Sequence, residues 1–135
     1  MAEIEEALVA YLKLQSGLTS LVNNKIYPEE IPQKNDLPAI AYIKISDIKR
    51  HMLTEQNPLE EPFIQFTVYA DTKSSARAVL AQIKTALKDY VGTLSGVVIQ
   101  KIQMENEISN METGSDGIKK IYTEDAEFQI FYERS

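Results

Sequence analysis

The stretch Pro62–Tyr90 constrains the fold most strongly, because a strand, a helix cap and a helix follow one another there without a break. Between Phe63 and Ala70, positions that are always apolar alternate with positions of mixed polarity. This period of two is typical of a strand with one face on a core. The apolar side of this predicted strand consists of Ile64, Phe66, Val68 and Ala70. A strand with such a side must pack against another layer of structure.

The period changes at Asp71-Thr72, where the second half of this unit begins. Either side chain can cap a helix, since a short side-chain oxygen accepts a hydrogen bond from the first turn, which stabilises a helix by about 1 kcal/mol. The apolar residues that follow share one helical stripe. They are Ala76, Val79, Leu80, Ile83, Leu87 and Tyr90. The unit predicts a well-specified scaffold that carries no evident catalytic residue.

Shorter signals precede this unit. Residues 3–15 predict an amphipathic helix with Gly17 as its stop, and residues 18–22 add a short helical turn. Ile26-Tyr27 predicts a brief edge strand, and Ala39–Ser46 alternates as a longer one.

The remaining segments predict two loops and two strands. Asp47–Glu61 has no clear period and Ser109–Gly117 is rich in turn formers, so we expect loops there. Val97–Ile108 and Ile118–Glu133 are expected to be strands. The order α-β-β-α-β-β predicts an α+β fold: a mostly antiparallel four-stranded sheet with two helices packed on one face. We expect residues 1–135 to form a single domain.

Composition excludes several classes of function. The net charge of −6 argues against a protein that binds nucleic acid through phosphates, which requires a basic surface. No cysteine is present, so there is no thiol nucleophile and no thiolate metal site. No apolar run approaches the roughly 20 residues needed to cross a bilayer, and the acidic N-terminus does not resemble a signal peptide, so we expect no membrane partner.

Catalytic chemistry has little support in the sequence. His51 is the only histidine and has no evident partner nearby. The neighbouring carboxylates Glu60-Glu61 and Glu124-Asp125 point to opposite faces of their strands, so we interpret them as solvated charges. We therefore expect no catalytic residue, no cofactor and no metal site.

Two features favour a binding role instead. Lys73, Arg77, Lys84 and Lys88 make the polar side of the second long helix basic, which suits either an acidic neighbour or plain solvation. The Asp47–Glu61 segment carries apolar residues among charged ones, which suits local packing or a partner. The predicted assembly interface comprises Ile48, Arg50, His51, Met52, Leu53, Arg77, Lys84, Lys88 and Met111.

Several short phrases, in this order, resemble the tail completion or tail terminator (head-tail joining) proteins of long-tailed bacteriophages. They are Leu18-Thr19-Ser20-Leu21-Val22, Lys25-Ile26-Tyr27-Pro28, Leu37-Pro38-Ala39-Ile40, Val68-Tyr69-Ala70-Asp71-Thr72 and Phe128-Gln129-Ile130-Phe131-Tyr132. The resemblance covers nearly the whole chain, and the family has no catalytic motif to carry over.

The resemblance implies a non-enzymatic structural protein of the virion. Such proteins cap the head-proximal end of the tail tube as a ring, typically of six subunits, stop its polymerisation and provide the head-joining surface. The implied partners are other copies of the chain, the tail-tube protein and a head-completion or neck protein, while DNA passes through the lumen without specific binding. The implied location is the tail of the virion, and the host cytoplasm during assembly.

The sequence leaves two other functions open. One is another neck or head-completion component, which belongs to the same structural class but has a different docking surface. The other is a small-molecule-sensing α+β regulatory domain. An enzyme is the least favoured class, because no nucleophile, base or metal set is visible.

Overall fold

A computed structural model describes residues 4–23, 25–29, 38–49, 60–88, 90–94, 96–113 and 120–134. The helices in this part of the chain are α1 (Ile4–Lys13), α2 (Ser16–Val22) and α3 (Lys73–Leu87). The strands are β1 (Ile26–Pro28), β2 (Ala39–Lys49), β3 (Glu60–Ala70), β4 (Gly92–Leu94), β5 (Val97–Thr113) and β6 (Lys120–Arg134).

The strands form one mixed sheet in the order β1-β2-β3-β6-β5-β4. β1 runs parallel to β2, and the other neighbouring pairs are antiparallel. The predicted four-stranded antiparallel sheet with two helices is therefore wrong, since the described residues form six strands and three helices. The brief edge strand at Ile26-Tyr27 and the short helical turn over residues 18–22 are confirmed as β1 and α2, but the predicted order of elements left them out. β4 was missed, because its 3 residues are too few for a period-2 pattern to appear.

The Pro62–Tyr90 unit is confirmed as a strand followed by a helix, although α3 ends at Leu87 and so does not include Tyr90 of the predicted stripe. The buried side of β3 and the buried stripe of α3 match the alternation and the helical spacing of the sequence. Phe66 of β3 meets Phe128 of β6 edge to face, with 6.0 Å between ring centroids. The largest buried side chains are Tyr132, Phe66, Phe128, Ile4, Leu8, Leu12, Leu18, Ile40, Ile64, Ile83, Leu87 and Ile99.

Thr72, rather than Asp71, caps α3. Its backbone is extended, and its side-chain oxygen accepts a hydrogen bond from the Ser75 N–H at 3.1 Å. This bond satisfies one of the donors that the first turn of a helix leaves unpaired, and so fixes where α3 begins.

The predicted stop at Gly17 is wrong. α1 ends at Lys13, and the N–H groups of Leu14 and Gln15 close its last turn by donating to Tyr11 and Leu12 carbonyls at 3.1 and 3.0 Å. Gly17 instead lies inside α2, where the absence of a Cβ leaves room for the Gln82 side chain of α3. The glycine therefore allows α2 and α3 to approach each other closely.

Both predicted loops are shorter than expected. Asp47–Lys49 continues β2 and pairs with Glu60–Pro62 of β3. Ser109–Thr113 continues β5 and pairs with Lys120–Glu124 of β6. Cross-strand pairing therefore extends both hairpins beyond the residues that show a period-2 pattern. The parts of the two predictions that fall on 50–59 and 114–117 lie outside the described residues.

Two register shifts in β5 also hid its apolar pattern. The pairing with β6 is irregular between Ile99 and Lys101 and again between Met104 and Asn106. An extra residue at each shift reverses which side chains point to the core. Val97, Ile99 and Ile102 are therefore buried together although their spacing is uneven.

Candidate assembly surfaces

A groove runs between the outer side of α3 and strand β5. It consists of two adjoining clefts of about 290 and 360 Å³ that share Ser109 and Glu124. The first is lined by Arg77, Leu80, Ala81, Lys84, Glu107, Ser109 and Glu124, and the second by Lys73, Ser109, Asn110, Met111, Tyr122, Thr123 and Glu124. Together these residues are the α3–β5 groove.

Two ion pairs cross the α3–β5 groove. Lys84 Nζ lies 3.1 and 3.3 Å from the two carboxylate oxygens of Glu107. Arg77 Nε lies 3.9 Å from Glu124 Oε1. Part of the basic side of α3 is thus neutralised within the chain by residues of β5 and β6.

The interpretation of Glu124 as a solvated charge is wrong. Its side chain is 3% exposed, and its Oε2 accepts a hydrogen bond from the Ser109 hydroxyl. It lies on the same face of β6 as Ala126 and Phe128, beneath α3. Burial of a carboxylate requires such partners, which come from distant parts of the chain and leave no mark in the local sequence. Glu61 is buried as well.

The remaining basic residues of α3 are free of ion pairs with the described residues. Lys88 is exposed at the C-terminal end of α3, where its N–H donates to the Lys84 carbonyl at 2.8 Å. Lys73 is exposed at the opposite end of the helix, beside Met111 in the second cleft. Among the described residues, α3 thus has a positive charge without an ion pair at each of its ends.

The structure brings together only part of the predicted assembly interface. Arg77, Lys84 and Met111 line the α3–β5 groove, and the Met111 side chain is 51% exposed. Ile48 belongs to β2, but its side chain is not described. Arg50, His51, Met52 and Leu53 lie outside the described residues, so their place in an interface remains a prediction.

A second surface, which sequence reasoning missed, lies between α1 and the β1–β2 edge. It is a cleft of about 450 Å³ lined by Glu5, Glu6, Pro28, Glu29, Tyr42, Ile43 and Lys44. We refer to it as the acidic cleft, since three of its four charged residues are glutamates. In the sequence Glu5 and Glu6 indicate only a favourable helix start, and their meeting with Glu29 depends on how β1 pairs with β2.

A backbone hydrogen bond of Glu29 and the partial burial of Tyr42 and Glu5 define the acidic cleft. Glu29 has a φ of 64° and donates its N–H to the Tyr42 carbonyl at 2.7 Å, which holds it at the end of β1. Burial raises the pKa of Tyr42, and the charges of Glu6 and Glu5 raise it further. Glu5 Oε1 is buried and accepts no hydrogen bond from the described residues.

Other kinds of site find no support in the described part of the chain. No three histidine, cysteine, aspartate or glutamate side chains there come close enough to hold a metal ion. None of the described helices is both long enough and apolar enough to cross a membrane.

Comparison with known proteins decides the family. The family described as Tail completion protein gp17 matches residues 6–121 of the chain. The protein belongs to the tail completion family. The resemblance drawn from the sequence is thus confirmed. Membership of this family indicates a structural, phage tail-related protein. Proteins of the family are generally non-enzymatic.

The fold also occurs in a solved particle. A chain of the "Virion of native gene transfer agent (GTA) particle" matches with a TM-score of 0.73 over 96% of this tail completion protein and 94% of that chain. The two sequences are 14% identical, so the likeness is one of fold. No curated protein matches the sequence.

Proposed function

We propose that this tail completion protein forms a ring on the head-proximal end of a phage tail tube, where it stops tube polymerisation and presents the head-joining surface. The family match over residues 6–121 carries the proposal. Its fold, similar to that of a chain in a gene transfer agent virion, supports a place in a particle of that kind. The family resemblance favours a ring of six subunits, assembled in the host cytoplasm.

The charge of the chain suits a ring through which DNA passes. With a net charge of −6 per subunit, a ring repels the phosphate backbone rather than retaining it. DNA would then cross the lumen without specific binding. Raising the salt concentration would screen this repulsion.

The basic side of α3 is the part of the predicted interface that the described residues support best. Arg77 and Lys84 face carboxylates of their own chain, so reversing their charge would also remove an internal ion pair. Lys88 is exposed and forms no ion pair with the described residues. Substitution of Lys88 therefore tests assembly with the least effect on the fold.

The first experiment measures association with tail-tube protein. Light scattering after size exclusion gives the mass of the protein alone and mixed with tubes, and electron microscopy shows where it binds. A ring at one tube end supports the proposal. Binding to a portal or neck protein without binding to tubes would contradict it and favour a neck component.

A variant pair sharpens this experiment. Lys88→Glu should reduce tube capping, while Lys13→Glu makes the same change of net charge at an exposed position on α1 and should leave capping unchanged. Equal loss in both variants would point to net charge rather than to α3. Circular dichroism of both variants checks that the fold persists.

A further inference from the structure

We propose that the α3–β5 groove of one copy docks on the acidic cleft of the next copy, so that subunits join head to tail. This inference rests on the proposed ring and names the two surfaces that close it. The occupant of the α3–β5 groove is thus a second copy of this chain.

The two surfaces lie toward opposite ends of the sheet. The acidic cleft is built on β1 and β2, the first two strands in the sheet order, whereas the groove is built on β5, the fifth. Two different patches on separate sides of a subunit give a heterologous contact, and heterologous contacts generate rings when the rotation closes. A self-complementary patch would give only a dimer.

Charge makes the two surfaces complementary. Lys73 and Lys88 stand unpaired among the described residues at the two ends of α3, and the Arg77 side chain is 66% exposed despite its ion pair. The acidic cleft offers the exposed carboxylates of Glu6 and Glu29. Lys44 also lines the acidic cleft, so the two surfaces are complementary in net charge but not at every residue. Such complementarity steers association and fixes the register of the partners.

Both surfaces also carry exposed apolar side chains on a sheet edge. Met111 of β5 in the groove is 51% exposed, and Ile43 of β2 in the acidic cleft is 44% exposed. Within the described residues, β4 pairs only with the first three residues of β5, and β1 pairs only with residues 40–42 of β2. Each long strand therefore has an outer edge that no described strand covers. Edges of this kind are common sites of association.

Cysteine cross-linking tests the geometry. The chain has no cysteine, so Ala81→Cys in the groove and Ile43→Cys in the acidic cleft introduce the only thiols. A short bismaleimide should join the two variants when they are mixed and assembled, and should join neither variant to itself. Dimers of Ala81→Cys with itself, or no product from assembled protein, would overturn the proposal.

Reciprocal charge reversal tests the energetics. Glu6→Lys/Glu29→Lys makes both surfaces of a subunit basic, and Lys73→Glu/Lys88→Glu makes both acidic. Each double variant alone should lose self-association by roughly tenfold or more. Mixing the two restores every contact in an alternating ring, so the mixture should associate like the parent protein. Failure of the mixture to recover, or parent-like association of either variant alone, would contradict the proposal.

The outcomes separate this inference from the proposed function. Parent-like tube capping by both double variants would leave the function standing and remove the head-to-tail contact. Recovery of self-association in the mixture, without any binding to tubes, would keep the contact and remove the capping role. Circular dichroism of each double variant shows whether a loss reflects unfolding.

Discussion

Arg77 Nε lies 3.9 Å from Glu124 Oε1, with the arginine 66% exposed and the carboxylate 3% exposed. The other oxygen of Glu124 accepts the hydroxyl hydrogen of Ser109. A buried carboxylate is thus held by a hydroxyl from β5 and by a guanidinium that remains largely in water. This small network ties α3, β5 and β6 together where the two clefts of the α3–β5 groove meet.

Removing Ser109 and removing Arg77, the two partners of Glu124, should lower the free energy of unfolding by different amounts. Ser109→Ala leaves a buried carboxylate oxygen without its hydrogen bond and should lower the free energy of unfolding by about 1–3 kcal/mol. Arg77→Ala removes a long, exposed ion pair and should cost no more than about 1 kcal/mol. Urea unfolding followed by circular dichroism measures both, and a larger cost for Arg77→Ala would contradict this account.

The helix cap gives a second prediction. Thr72→Ala removes the oxygen that accepts the Ser75 N–H and should destabilise the protein by about 1 kcal/mol. Thr72→Ser keeps that oxygen and should remain close to the parent in thermal unfolding. Equal loss in both variants would assign the effect to the threonine methyl group instead.

The core gives a third prediction, with a control on the same strand. Phe128 is buried beside Phe66, so Phe128→Ala should cost about 3–5 kcal/mol through lost packing and the cavity left behind. Phe131 lies on the other face of β6 and is only half-buried, so Phe131→Ala should cost distinctly less. Comparable losses at the two positions would show that both faces of the sheet are core.

The acidic cleft predicts a pH dependence. Burial and the charges of Glu6 and Glu5 raise the pKa of Tyr42 above that of a free tyrosine, which is about 10. The folded state therefore holds this proton more tightly than the unfolded state, so stability is fully present below about pH 10 and falls as pH rises through the folded pKa. Tyr42→Phe should reduce this alkaline loss and keep near-parent stability at pH 7. An unchanged alkaline slope in the variant would contradict the prediction.

The local sequence determined the elements whose patterns are long. Eight alternating residues followed by a capped amphipathic stripe specify β3 and α3. In each element the apolar side chains recur at the period of the strand or the helix, so they all lie on one face. The same reasoning found the strands that became β2, β5 and β6. The ordered phrases of the chain also led to the tail completion family.

Tertiary structure alone decided how the sheet edges pair, which charges the α3–β5 groove buries or pairs, and where the acidic cleft lies. The sequence indicated β1 at Ile26-Tyr27, but β4 is too short to show a period, and the register shifts in β5 reverse its faces without a local cue. Glu124 is buried, and Lys84 is paired with Glu107, only because α3 folds onto strands that follow it in the chain. The acidic cleft likewise requires α1 to meet β1 and β2. Such contacts depend on long-range packing, and a charge in a sequence does not reveal whether the fold will leave it in water, bury it or pair it.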